Sequence, residues 1–217
     1  LPDEEGWLVK LAGLHAVRAP GDTCLSALRK GRMGTPEDPI NESKGCGGLM
    51  RAAPAGLAPG APFRAGCEIA ALTHGHPTGW LAAGTLAQLV HEVAEGAALE
   101  EGAERALDVL RRHPGHEETS AAVGRALALA RASRGTLEEV ESLGRGWVAE
   151  EALAIGLYAA LAAEGFEHGV LLAVNHSGDS DSTASIAGNL LGLALGEQAI
   201  PARWLERLEL RDVVEQV

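Results

Sequence analysis

From residue 176 to residue 192 the chain reads His-Ser-Gly-Asp-Ser-Asp-Ser-Thr-Ala-Ser-Ile-Ala-Gly-Asn-Leu-Leu-Gly. Ala184, Ile186, Ala187, Leu190, Leu191, Leu193 and Ala194 recur at three- and four-residue spacing, which predicts a helix with one buried face. Asp179 and Asp181, with the hydroxyls of Ser180, Ser182 and Thr183, then crowd hard oxygen donors at or just before its N-terminus. Such donors suit a divalent cation such as Mg2+ or Mn2+. Asp and Ser are also the commonest helix N-caps, and acids in a first turn complement the helix dipole. Capping accounts for one acid; small residues at 184, 187, 188 and 192 would in addition let other helices approach the acidic end. Both readings stand on the residues alone.

Outward from this stretch the chain is apolar, alanine-rich and poor in aromatics. At 217 residues it suits one domain, or two small ones at most, and can bury most of its apolar surface. A formal net charge of -12 argues against nucleic-acid binding, because no basic stripe is available to neutralise phosphates. Cys24, Cys46 and Cys67 are odd in number and lack C-x-x-C spacing, which fits a reducing cytoplasm better than a disulfide framework or a structural zinc. No apolar run reaches membrane-spanning length and no signal peptide is visible.

Helical periodicity dominates the rest. Between Glu4 and Arg18, Trp7, Leu8, Leu11 and Leu14 share a predicted helical face. Asp22 is a predicted N-cap for a helix closed by Gly31. Residues 32–48 form a loop ending Ser43-Lys-Gly-Cys-Gly-Gly48, and Leu49–Ala53 looks helical. Glycines directly before a helix free backbone N–H groups for an anion, so this is a candidate phosphate cradle, or simply a turn. A helix over 64–72 leads to Thr73-His74-Gly-His76-Pro77, whose His-x-His reads as a metal pair or as a helix-ending loop with hydrogen-bonding work. Helices follow over 80–95, 103–112 and 119–132. Thr136 and Glu139 have capping-box spacing. Gly144-Arg-Gly-Trp147 precedes a helix over 148–163, its indole either core or a stacking surface. Helices over 166–174 and 203–208 complete the set. No strand alternation, repeat or linker appears, so the fold class is all-α in a single domain.

The glycine loop, the Thr-His-x-His-Pro turn, the Gly-Trp helix start and the Asp-Ser-Asp-Ser cluster, in this order from about Trp7 to Leu210, resemble the ADP-ribosylglycohydrolase family, including its dinitrogenase-reductase-activating type. The resemblance implies an all-α orthogonal bundle holding two divalent cations, Mg2+ or Mn2+, in a cleft. There they grip the ribose of ADP-ribose and activate the water that cleaves its bond to a modified side chain. It implies catalytic and metal-ligating roles for Asp179 and Asp181, with Ser182 as a third ligand where threonine is more usual. Ser43, Gly45, Cys46 and Gly47 match the diphosphate loop, Cys46 standing where asparagine is common. His74 matches a cleft histidine, and Trp147 lies where adenosine or ribose packs. The implied partner is ADP-ribose or an ADP-ribosylated protein, and a cytoplasmic monomer is expected.

One departure is plain. The family's N-terminal Gly-Asp stretch, catalytic acid and Thr-Asp-Asp-Thr metal motif have no counterpart before Trp7, and Asp3, Glu4 and Glu5 do not match them. The expectation is therefore the C-terminal portion of an enzyme or, alternatively, a non-catalytic ADP-ribose-binding or structural member of the same fold.

Overall fold

The computed structural model describes residues 6–132 and 135–216, and among these every regular element is helical. Asp3, Glu4 and Glu5 lie outside the described residues. Two helices form the centre: α3 (Pro77–Ala94), buried without interruption from Leu81 to Val90, and α7 (Ala149–Leu161), buried on almost every face. A helix apolar all round has to be surrounded by others. Around them pack α2 (Pro62–Ala71), α4 (Leu99–Leu110), α5 (Glu117–Ala132), α6 (Leu137–Ser142), α8 (Phe166–Val174) and α9 (Ser180–Leu195), while α1 (Asp22–Arg29) meets the loop segment at Ser43 and Arg51. Two short turns of helix, α10 (Ala202–Leu205) and α11 (Arg211–Val214), close the described chain.

Local chemistry explains two helix starts. Pro77 opens α3, with the His76 ring capping it by accepting from Thr78 N at 3.2 Å. The Thr136–Glu139 capping box that opens α6 is present in full. No described helix is long and apolar enough to cross a membrane.

Three predictions need correction. Residues 8–15 form two 3-10 turns, not an amphipathic α-helix, and Trp7, Leu8 and Leu14 stay 45%, 37% and 47% exposed. The periodic pattern there meets no packing partner, and short helices draw their stability from packing. Leu49–Ala53 is likewise not an α-helix: residues 49–52 link the 3-10 turn Cys46–Gly48 to the 3-10 turn Ala53–Leu57. Pro54 disfavours α geometry at Ala53. Asp22 is the first residue of α1, whose cap is Gly21.

Small residues do allow close approach to α9, but chiefly on its partners. A Cβ on Gly156 of α7 would lie 2.5 Å from Ile186, and one on Gly169 of α8 2.5 Å from Leu191. Gly188 and Gly192 of α9 have room, their nearest neighbours being 3.9 and 3.8 Å away.

Candidate functional site

Asp179 is the residue before α9, yet its carboxylate makes no capping hydrogen bond to the helix. Instead Asp179 Oδ2 lies 2.6 Å from Cys46 Sγ, joining positions 133 apart in sequence. Ser182 Oγ stands 3.5 Å from the same sulfur and donates to Met50 Sδ at 3.3 Å. The acidic cluster and the glycine loop therefore face each other. Asp179 is only 7% exposed, Ser182 is buried, and Asp181 is exposed on the first turn of α9.

Electrostatics here are those of a site short of positive charge. Burial raises the Asp179 carboxyl above the ordinary carboxylate range, and the adjoining Asp181 adds to this against the thiol that donates to it. Neither acid forms an ion pair among the described residues. Burial and the neighbouring Asp179 push the Cys46 thiol up to about 12, so it stays protonated and donates its S–H to the carboxylate.

A third segment holds these two together. The turn at residues 144–147 accepts from both sides: Asp179 N donates to Arg145 O at 2.8 Å, and Cys46 N donates to Trp147 O at 3.1 Å. Ala149 N adds a bond to Lys44 O at 2.8 Å, and Gly45 and Val148 form an isolated antiparallel bridge. Gly178 lies flat on this turn, where a Cβ would sit 1.9 Å from Arg145 O. The His176 ring braces the loop, accepting from Gly178 N at 3.1 Å and meeting Thr183 Oγ1 at 2.9 Å; Thr183 in turn donates to Ala173 O.

Beneath the glycine loop lies His74, 2% exposed. Arg51 donates to Thr73 Oγ1 at 2.6 Å, and the threonine hydroxyl shares a hydrogen bond of 2.8 Å with His74 Nδ1, with Nε2 turned toward the loop. Burial and Arg51 lower its pKa to about 4. A Cβ at Gly45, Gly47 or Gly48 would come 3.4, 3.4 or 3.1 Å from this ring. Gly48 is thus the glycine that admits the imidazole most closely, a reason the sequence does not display.

This changes several sequence expectations. His74 supports the loop and does not line open space. The N–H groups of Gly45 and Cys46 are engaged by Ser43 Oγ and Trp147 O, and the loop leads into a 3-10 turn, with no α-helix dipole directly behind it. Ser43 Oγ also meets Thr23 Oγ1 at 3.1 Å. His76 caps α3, so the His-x-His pair serves structure. Trp147 is 59% exposed, its carbonyl bonded inward and its indole on the surface.

Three residues escaped sequence reasoning. Asn41 pins the loop to the Thr73–Gly75 turn, accepting from Ser43 N and Gly75 N at 3.0 Å each and donating to Thr73 O at 2.8 Å. Lys44, within the loop, is held by Glu118 at 2.8 Å and Glu150 at 2.5 Å. Glu151 accepts from Arg145 N and Gly146 N. Only the Asn before the loop and the acids opening α7 hint at this in sequence.

Asp179, Asp181 and Ser182 offer three hard oxygen donors, and like charges lacking a counterion fit a divalent cation. They form only part of a full set: among the described residues no group of three or more His, Cys, Asp or Glu is gathered to hold a metal.

The family model described as ADP-ribosylglycohydrolase matches residues 5–217. The ADP-ribosyl-dinitrogen reductase glycohydrolase of Rhodospirillum rubrum is 26% identical over 197 residues, 88% of this chain and 60% of that protein. An uncharacterized protein of Archaeoglobus fulgidus is 40% identical over 78 residues, covering 36% of this chain and 25% of its own. A solved structure described as an ADP-ribosylglycohydrolase-related protein complex shares 31% identity at a TM-score of 0.71, over 90% of this chain and 66% of that one. The chain thus spans about 60% of the length of the curated glycohydrolase it matches.

Proposed function

The chain belongs to the ADP-ribosylglycohydrolase family, and on that premise we propose that it serves divalent-metal-dependent hydrolysis of the glycosidic bond between ADP-ribose and a modified protein side chain or related conjugate. One observation carries the reading: a buried carboxylate, Asp179, sits beside a second carboxylate with no cationic partner and touches the loop that the family uses for its ligand. Burying a carboxylate unpaired is costly, and a bound cation would remove that cost.

In the reaction, water oxygen bonds to the anomeric carbon, the carbon–nitrogen or carbon–oxygen bond to the acceptor breaks, and a water proton ends on the released side chain. Mg2+ or Mn2+, two per site by family precedent, would supply polarisation of the ribose oxygens and of water. Asp179, Asp181 and Ser182 would hold that charge. Ser43, Gly45, Cys46 and Gly47 shape the wall facing the acids, with His74 fixing their height from below. The Cys46 thiol, held protonated, orients Asp179 and supplies no nucleophile. Trp147 offers an exposed ring face to the adenosine or ribose end. Three free thiols suit a reducing, cytoplasmic setting, and we expect a monomer.

A non-catalytic ADP-ribose-binding member is the second reading, favoured by the incomplete ligand set among the described residues. Calorimetry with ADP-ribose and Mn2+, paired with chromatography of ADP-ribose released from a modified peptide, separates the two. Metal-dependent release, lost in Asp181→Ala, supports the enzyme; binding without release supports the binder. Heat unchanged by Asp181→Ala counts against the enzyme.

A further inference from the structure

Glu151 lies on the first turn of α7 and turns back over the chain that precedes it. Its Oε2 accepts from Arg145 N at 2.9 Å and from Gly146 N at 3.2 Å. Gly144 and Gly146 take φ of +130° and +74°, and a Cβ on Gly144 would meet the Glu151 carboxyl carbon at 2.4 Å. The turn is thus wrapped around one carboxylate. Its outward-facing carbonyls are those that fix the two halves of the site: Arg145 O receives Asp179 N, and Trp147 O receives Cys46 N.

We infer that Glu151 is the positioning residue of this site, its carboxylate gripping the Arg145–Gly146 amides so that the carbonyls of the same turn hold Asp179 and the glycine loop at their working separation. The inference rests on the metal-site reading above for its functional consequence, though not for its geometry. A carboxylate accepting two amide hydrogens makes charge-assisted bonds, roughly twice as strong as neutral ones. Groups that orient metal ligands in this way, without touching the metal, alter metal affinity about 10- to 100-fold when removed.

The test uses the full chain and three variants. Glu151→Gln keeps an acceptor oxygen at the same reach, Glu151→Asp keeps the charge but stops one methylene short, and Glu151→Ala removes the group. Amide hydrogen exchange is read first, without metal. In Glu151→Ala, or in Glu151→Asp if the alanine variant does not fold, the Cys46 and Asp179 amides should exchange at least about tenfold faster, along with Arg145 and Gly146, while Leu86 within α3 is unchanged. Mn2+ titration followed by electron paramagnetic resonance is read second, with affinity falling about 10- to 100-fold in the same variant and staying within about threefold in Glu151→Gln.

Acceleration confined to Arg145 and Gly146 overturns the inference, as does wild-type Mn2+ affinity in Glu151→Ala. Rapid exchange of Arg145 and Gly146 beside slow Cys46 and Asp179 in the unaltered chain overturns it without any variant. If the unaltered chain takes up no Mn2+, the functional proposal fails while the exchange result still decides the role of Glu151.

Discussion

Substituting Gly178 by alanine puts the assembly of the site under direct strain. The added Cβ would lie 1.9 Å from Arg145 O, 2.6 Å from its carbon and 2.8 Å from its Cα, all backbone atoms that cannot swing aside as a side chain could. For ordinary contact the carbonyl has to retreat by about 1.5 Å, far enough to break the bond it accepts from Asp179 N at 2.8 Å. Overpacking costs about 1–3 kcal/mol and the lost hydrogen bond about 0.5–1.5 kcal/mol, together about 1.5–4.5 kcal/mol. For a chain of this size that lowers Tm by roughly 3–18 °C. Gly188→Ala is the matched control on α9, since its nearest neighbour is 3.9 Å away, and it should gain about 0.5–1 kcal/mol from helix propensity. Urea denaturation of both variants in EDTA gives the comparison, and Mn2+ titration should show weaker binding for Gly178→Ala alone. A Gly178→Ala protein within about 0.5 kcal/mol of wild type would refute the idea that this contact sets the position of Asp179.

Asp179→Asn should be neutral or stabilising in EDTA and destabilising relative to wild type in Mn2+, as thermal melts in the two buffers would show. The carboxyl is raised in the folded state by burial and then by Asp181, so its ionisation opposes folding; the advantage of the asparagine variant should be absent below about pH 4 and grow as pH rises through the raised value. His74, lowered to about 4, stays neutral in the fold while the unfolded ring protonates near 6.5. Its contribution is therefore intact above pH 6.5 and falls by about 3 kcal/mol as pH drops to 4, a slope that denaturation of His74→Gln should lack. With Ellman's reagent at pH 8, the partly exposed Cys24 should react first; Cys46 and Cys67, buried and pushed up to about 12, should wait for unfolding.

Periodicity carried the fold. The apolar pattern of residues 166–174 predicts α8 at the bounds observed, and α3, α5 and α7 depart by only a few residues. Where the pattern lacked a packing partner, as at Leu8 and Leu14, it misled, because spacing records which face could be buried and not what buries it. At the site, the meeting of Asp179 with residue 46 was legible only through the family's motif order. The tight approach of Gly48 was not legible at all, since it makes room for a ring that is 26 positions away in the chain. Glu151 was hidden for a related reason: acids opening a helix are common, and nothing in its neighbours marks one that grips the preceding turn.

Cys46 and the carboxylate it touches are separated by 133 positions, and the turn that links them lies some 100 residues after the first and 30 before the second. Contacts so far apart form late, because the intervening chain has to be ordered before they close. On the ribosome, the glycine loop would emerge long before its acids and wait, already seated on His74, until nearly all the helices had been synthesised. On the proposed metal-site reading, cation uptake would then report on completion of the tertiary structure, and translation stalled before residue 179 would leave a helical intermediate lacking the proposed ligands.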